Sequence, residues 1–274
     1  MLINGKEIAE EILKDVKKEV EALSFQPLFC DISVGSDPVS LSYIKIKGRV
    51  AKRNGFEFQH ISLPENIDEN ELISKIKETN QKKNICGLIV QLPLPATFNQ
   101  QAVLDAVDPK LDVDCMGTEN SSLFYSGYSR FVPPTAAAIL HILETLSLDL
   151  KLLNFLVIGQ GVLVGKPLAF LLKKQGLQIN TLTKQSSHKE EIIKQADIVI
   201  TATGQPRLIN GAMIKPGAVV IDAGASEIDG SIYGDVEVEG VLEKAKFLSA
   251  VPGGVGPITV AFLLKNILSV AVSK

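Results

Sequence analysis

Short apolar runs of strand length alternate with amphipathic stretches almost from one end of the chain to the other, and few folds accommodate that alternation. Ile8, Ile12, Val16, Val20 and Leu23 recur at helical spacing among charged residues, which predicts a helix with one apolar face. The run "PLFCDISV" at 27–34 is short, apolar and of strand type. "DPVSLSYIKIKGRVAKRNG" opens on turn residues and closes on Asn-Gly, as a helix with marked ends should. "FEFQHISL" alternates like a strand, and "DENELISKIKETNQKK" carries acids in its first turn and lysines in its last, matching the helix dipole. "ICGLIVQLPLP" is a buried strand stopped by prolines. Together they imply a small parallel sheet covered by helices.

Pro133-Pro134 interrupts the chain before "TAAAILHILETL", a predicted helix with Thr135 available as its cap. A second series follows: strand "FLVIG", a helix from Val162 to about Gln175, strand "QINTLT", helix "KEEIIKQA", strands "DIVITA" and "AVVIDAG", and a last strand near "KFLSAV". That series is a nucleotide-binding type of α/β unit. The fold class is therefore α/β, with two lobes. "AVPGGVGPIT", residues 250–259, then places three glycines and two prolines directly before the last apolar stretch. So bare a loop suggests that something approaches its backbone closely.

With 46% apolar residues among 274, the chain can bury a sizeable core in one large or two modest domains. A formal charge of −3 gives no basic field for nucleic acid and no polybasic membrane patch. The start "MLINGKEIAEEILKD" turns polar at once, unlike a secretion signal. The run "ITVAFLLKNILSVAVS" is interrupted by Lys265 and Asn266 and falls short of the ~20 apolar residues expected of a membrane span. Cys30, Cys86 and Cys115 are odd in number and widely spaced, as buried free thiols in a reducing compartment would be. His60, His141 and His188 form no ligand cluster, so no metal is expected. The composition reads as that of a soluble, cytoplasmic protein.

"NFLVIGQGVLVGKPLAFLL" places Gly159, Gly161 and Gly165 at a strand-to-helix turn, one residue longer than the usual dinucleotide fingerprint. Gly159 would permit the turn, Gly161 would let backbone amides approach a pyrophosphate, and Gly165 would let the helix pack close to the sheet. A plain tight turn is the competing reading. The end of the next strand reads "TLTKQSSHK", with Lys184 and no acid until Glu190. A cation there suits the extra phosphate of NADP, which is favoured over NAD.

Ser42, Tyr43 and Lys47 fall on one helix, with Tyr43 and Lys47 a turn apart. The pair could supply a stacking surface and a proton-transfer group, although most lysines at helical spacing are merely solvated. Gln91 ends a buried strand, where open α/β sheets bind ligands, and "LDVDC" puts Asp112 and Asp114 at the next such boundary.

In order and spacing, "VGSDPVSLSYIKIKGRVAKRNGF", "GLIVQLPLP", "LDVD", "VIGQGVLVGKP", "TATGQP", "PGAVVIDAG", "GDV" and "VPGGVGPITVAFLLKN" resemble the bifunctional methylenetetrahydrofolate dehydrogenase/methenyltetrahydrofolate cyclohydrolase family, FolD, over nearly the whole chain. The resemblance implies a folate-binding catalytic domain at 1–134, completed by a C-terminal helix at 255–274, and a Rossmann-type NADP-binding domain at 135–254. It implies tetrahydrofolate derivatives as substrates and a homodimer. Tyr43 would stack on the folate, Lys47 would handle protons as water adds to the methenyl bridge, Gln91 would hold that lysine, and Asp114 would bind the pterin. To act as a base, the lysine would need its pKa lowered by desolvation. Pro252, Gly253, Gly254, Gly256 and Pro257 would line the folate and nicotinamide cleft, with Thr259 meeting the cofactor. Gly159, Gln160, Gly161, Val164, Gly165, Lys184 and Ala225 complete the expected cofactor contacts.

Several positions depart from the family pattern. The turn usually reads Gly-Arg-Ser or Gly-Ala-Ser and here reads Gly159-Gln160-Gly161; Pro134 stands where a cysteine is usual; and "VGIN" has become Ala223-Gly224-Ala225-Ser226. These departures lie on the cofactor side, which makes a cyclohydrolase with weakened dehydrogenase activity the alternative expectation.

Overall fold

A strand buried at all seven positions, Leu28–Val34 (β1), lies at the centre of a three-stranded parallel sheet. Glu57–Leu63 (β2) and Ile85–Val90 (β3) flank it, giving the order β2-β1-β3. The helices of this half of the chain are Gly5–Glu21 (α1), Pro38–Arg53 (α2), Glu69–Asn80 (α3), Gln100–Leu104 (α4) and Thr118–Ser126 (α5). α2 packs so closely on the sheet that a Cβ at Gly48 would sit 2.5 Å from the Phe58 ring.

A computed structural model describes residues 1–274. It divides them into two compact units, one holding Glu10–Pro134 with Val260–Lys274 and the other Met1–Ala9 with Thr135–Thr259. The second unit contains Pro134–Thr145 (α6), Phe155–Ile158 (β4), Gly165–Lys174 (α7), Ile179–Leu182 (β5), Lys189–Gln195 (α8), Ile198–Thr201 (β6), Val219–Asp222 (β7), the hairpin Ser226–Ile228 (β8) and Ser231–Tyr233 (β9), Val238–Lys244 (α9) and Phe247–Ser249 (β10). Its five-stranded sheet is parallel throughout, in the order β10-β7-β6-β4-β5. The last helix is Val255–Val272 (α10).

Three boundaries differ from the sequence reading. Met1–Ala9 joins the five-stranded unit, because Ile3 N–H donates to the Leu248 carbonyl at 2.8 Å and Gly5 N–H to the Gly253 carbonyl at 3.0 Å. α6 begins at Pro134, so Thr135 lies in its first turn rather than capping it; proline suits that first position because no helical N–H is needed there. α7 begins at Gly165 rather than Val162.

α10 is also more apolar than its interruption by Lys265 and Asn266 suggested. It is long and apolar enough to cross a membrane by length and composition, with mean hydropathy 1.8 over 18 residues. Packing accounts for that composition: Ile258, Ala261, Leu264 and Ile267 are all 0% exposed, and burial of each larger side chain stabilises by about 1.5–3 kcal/mol. From Val260 onward the helix belongs to the three-stranded unit, where a Cβ at Gly87 would lie 2.7 Å from Ile267 Cγ1. Asn266 Nδ2 donates there to the carbonyls of Val113 at 2.8 Å and Val132 at 3.0 Å.

The five-stranded unit buries two carboxylates, Asp222 and Asp235. Asp222 accepts from the N–H groups of Gly224, Asp235 and Val236. Burial pushes the Asp222 carboxyl up to about 7, with Asp235 adding to the rise and the three N–H donors opposing it. Between the ordinary carboxylate range and pH 7, the folded chain therefore holds a proton that the unfolded chain has released. This contribution to stability is complete at low pH and disappears as pH rises through 7. Denaturant midpoints measured from pH 5 to pH 8 are expected to carry that falling component, and Asp222→Asn to remove it.

Candidate active site

α2 is set in place by its first turn. Asp37 Oδ2 accepts from Ser40 N–H at 2.8 Å, a side-chain cap that fixes where the helix begins. From that start Ile44, Lys47, Gly48 and Ala51 fall on the buried face. Three of these are apolar or bare and belong there; Lys47, 2% exposed, does not belong without partners.

It has two. Lys47 Nζ donates to Gln91 Oε1 at 2.8 Å and stands 2.6 Å from Asp31 Oδ2. Gln91 is itself fixed just beyond β3: its N–H donates to the Ile32 carbonyl at 2.8 Å, and its Nε2 to the Leu92 carbonyl at 2.9 Å. Ser40 Oγ donates to the same Leu92 carbonyl at 3.1 Å, linking α2 to the end of β3. The half-buried Tyr43 ring lies one turn back, its centroid 5.2 Å from Lys47 Nζ. Thus Tyr43, Lys47 and Gln91, expected to act together, are together. The lysine is buried but not alone, because its Nζ stands against the Asp31 carboxyl as well as Gln91.

That carboxylate was not among the expected site residues. Asp31 lies inside β1, fully buried, beside Ile89 of β3 and His60 of β2. Burial raises its pKa above the ordinary range, and the Lys47 charge acts against that rise. Its one sequence signal is a lone acid in a run of otherwise strand-like residues. Ser40 was also missed, because a serine in a first helical turn is commonplace.

Asp112 and Asp114 separate into different tasks. Asp112 organises the loop before α5, Oδ1 accepting from Met116 N–H at 3.0 Å and Oδ2 from Gly117 N–H at 2.9 Å. Asp114 interacts electrostatically with Lys47; burial pushes its carboxyl up to about 6, Lys47 opposing and the charges of Asp112 and Asp31 adding.

In the five-stranded unit, the turn from β4 to α7 is shaped by two glycines. Gly159 has φ +91°, and a Cβ there would come within 2.4 Å of the Ala202 carbonyl; one on Gly165 would come within 1.9 Å of the Gly159 carbonyl. Gly161 is exposed and would meet nothing within 4 Å, leaving open space before α7. Gln160 Nε2 donates to the Gly159 carbonyl at 2.9 Å, so this side chain bonds its own turn. Val164 sits at the N-cap position without a side-chain cap, and Lys184 is exposed in the turn after β5. Ala225 is exposed before β8, while Thr259 is buried with its hydroxyl donating to the Val255 carbonyl at 3.2 Å.

The bare loop before α10 has more than one reason for its glycines. Gly253 has φ +104°, a conformation that side chains disfavour. Gly254 is bare for internal packing, since a Cβ would lie 2.2 Å from Ser249 Oγ and its carbonyl is already against Gly5. Of the three glycines, Gly256 alone combines an ordinary φ with open space at the Cβ position. Pro252 is exposed and Pro257 half-buried.

Residues 3–114 match the family profile described as the catalytic domain of tetrahydrofolate dehydrogenase/cyclohydrolase, and residues 133–274 match that of its NAD(P)-binding domain. The chain belongs to the tetrahydrofolate dehydrogenase/cyclohydrolase family. Among relatives of this family, it is 39% identical over 269 residues to the bifunctional protein FolD of a Hydrogenobaculum species, covering 97% of each chain. The FolD protein of Clostridium tetani is 36% identical over 98% of each. Its fold is similar to the crystal structure of the Campylobacter jejuni bifunctional enzyme FolD, at TM-score 0.93 and 30% identity, covering 100% of this chain and 99% of that one. The Trypanosoma brucei enzyme, solved with NADP cofactor and an inhibitor, gives TM-score 0.94 at 30% identity, covering 100% and 97%.

Proposed function

We propose that this chain acts twice on one-carbon derivatives of tetrahydrofolate: it oxidises the 5,10-methylene form to the 5,10-methenyl form with NADP⁺, and hydrolyses the product to 10-formyltetrahydrofolate. The observation that carries the reading is the buried Lys47, held by Gln91 next to Tyr43, in a chain of this family. The family's two-step chemistry gives such a lysine a task that a packing role does not.

In the hydrolysis, the oxygen of water bonds to the bridging carbon, a water proton passes to a base, and the bond from that carbon to N5 breaks. The formyl group stays on N10. Lys47 is the group that moves the proton, Gln91 fixes its direction, and Tyr43 offers a flat surface to the folate. Asp114 binds the pterin as a carboxylate. Because its carboxyl titrates at about 6, folate affinity is expected to weaken as pH falls through that value, and Asp114→Asn to remove the dependence. Fluorescence titration of folate binding between pH 5 and pH 8 checks this.

The oxidation needs little acid–base help, because nitrogen lone pairs stabilise the cation that forms, so positioning carries it. The nicotinamide of NADP⁺ supplies the hydride acceptor when bound. The residues present fit NADP: Gly161 leaves room at the start of α7, Lys184 can meet an added phosphate, and no acid stands between Leu182 and His188 to claim the ribose hydroxyls. Expected contacts are Gly159 to Gly161, Val164, Gly165, Lys184 and Ala225. Pro252, Gly253, Gly256 and Pro257 serve the substrates. The Trypanosoma relative's complex with NADP supports the choice of cofactor.

Adding methylenetetrahydrofolate with NADP⁺ should give the methenyl absorbance, followed by its decay; NAD⁺ should support the first phase less well. Decay of supplied methenyltetrahydrofolate without any hydride step would instead favour a cyclohydrolase alone. We further infer a cytoplasmic homodimer whose product feeds formyl-transfer steps such as purine synthesis. Three free, buried cysteines fit a reducing compartment, and light scattering giving a monomer mass would refute the dimer.

A further inference from the structure

Asp31 places a carboxyl in the middle of a central strand, and stability does not explain it. Replacing a buried ion pair by apolar side chains is often neutral or stabilising, so such pairs are poor stabilisers of a fold. Asp31 is 0% exposed, its Oδ1 has no hydrogen-bond partner, and its Oδ2 meets Lys47 Nζ at 2.6 Å as an ion pair. The same Nζ bonds Gln91 at 2.8 Å and lies 5.2 Å from the Tyr43 ring. The acid thus backs the one lysine to which the hydrolysis is assigned.

We propose that Asp31 is a positioning residue for the hydrolysis, a role that rests on the functional reading above: it holds Lys47 Nζ beside Gln91 and takes one proton from it, freeing the amine to accept a proton from the attacking water. The transfer leaves a neutral amine and a neutral carboxyl. Water then bonds through oxygen to the bridging carbon as its proton passes to Nζ, which restores the ammonium, and the cationic bridge becomes a neutral hydroxylated carbon. When that carbon parts from N5, the hydroxyl loses a proton and N5 gains one. The proton left on Asp31 is the one that the overall reaction releases.

The titratable groups around Asp31 are few. Lys47 faces it from α2 and His60 from β2, the latter also bonded to Ser33 Oγ at 2.8 Å. Asp31 in turn acts electrostatically on Asp114 in the loop beyond β3 and on Cys30, its neighbour in β1. Burial raises the Asp31 pKa and Lys47 lowers it, the relation a proton-sharing pair requires.

The test compares wild type with Asp31→Asn, which removes the charge at nearly constant shape, and Asp31→Val, which makes the position apolar. The circular dichroism spectrum and a cooperative melt serve as the folding control, since Asp31 lies within the three-stranded unit. Both variants are expected to lower the kcat for methenyltetrahydrofolate hydrolysis about 100-fold, with KM changed by less than about threefold. Carbon NMR of labelled aspartate, with the Asp31 signal assigned by its loss in Asp31→Asn, should show the carboxyl titrating at higher pH in Lys47→Met than in wild type. Wild-type kcat in Asp31→Val, a raised KM with kcat unchanged, or an Asp31 titration indifferent to Lys47→Met would each overturn the proposal. A wild-type chain without hydrolysis would overturn the functional reading and this role with it; wild-type hydrolysis beside unaffected Asp31 variants would overturn this role alone.

Discussion

Lys47→Met should reduce hydrolysis of the methenyl bridge by roughly 10²–10⁴-fold, the range over which a positioned proton-transfer group contributes, while NADP⁺ binding remains. Methionine keeps much of the length and apolar stem of lysine and removes only the charged end. It also leaves Asp31 buried without its counter-charge, and breaking a buried pair from one side destabilises by about 3–5 kcal/mol. Thermal melting should therefore fall along with activity. Combining Lys47→Met with Asp31→Val should restore much of the melting temperature and none of the hydrolysis, separating the two losses. Hydrolysis at the wild-type rate in the single mutant would remove Lys47 from the mechanism.

The second large effect is structural. Asp235→Ala should destabilise the five-stranded unit by on the order of 3–5 kcal/mol, since four buried or part-buried donors then lose their acceptor together. Asp235 Oδ2 accepts from Thr201 Oγ1 at 2.6 Å, Thr203 N–H at 2.7 Å and Thr203 Oγ1 at 2.9 Å. Its Oδ1 accepts from Gln205 N–H at 2.9 Å. Together these bonds fix the chain as it leaves β6. A domain has only about 5–15 kcal/mol to lose, so urea midpoints should drop markedly, and nucleotide affinity should decline in parallel. A midpoint within error of wild type would show that water replaces the carboxylate without penalty.

How well the sequence foretold these features depended on what each residue contributes. Strands such as Phe155–Ile158 and Ile85–Val90 are apolar throughout and were legible from composition alone. The short hairpin Ser226–Ile228 with Ser231–Tyr233 was not, because strands of three partly exposed residues leave no periodic signal. Tyr43, Lys47 and Gln91 could be grouped from helix spacing and strand ends, since both place side chains by simple geometry. Asp31 escaped because reading a strand by its apolar average discounts one charged residue. Its partner is 16 positions later in the chain, and only the close packing of α2 on β1 and β2 brings them together. Likewise, "PGGVGP" announced a bare loop, but the pattern could not distinguish Gly254, packed against its own unit, from Gly256, open at its Cβ position.

Each unit draws on both ends of the polypeptide: Met1–Ala9 joins Thr135–Thr259, and Glu10–Pro134 is completed by Val260–Lys274. A nascent chain halted at residue 134 would hold one incomplete body and nine residues awaiting another. Neither body can finish assembling on the ribosome until translation has passed residue 259, so severing this gene at the midpoint should yield two fragments that recover their structure only by complementing one another.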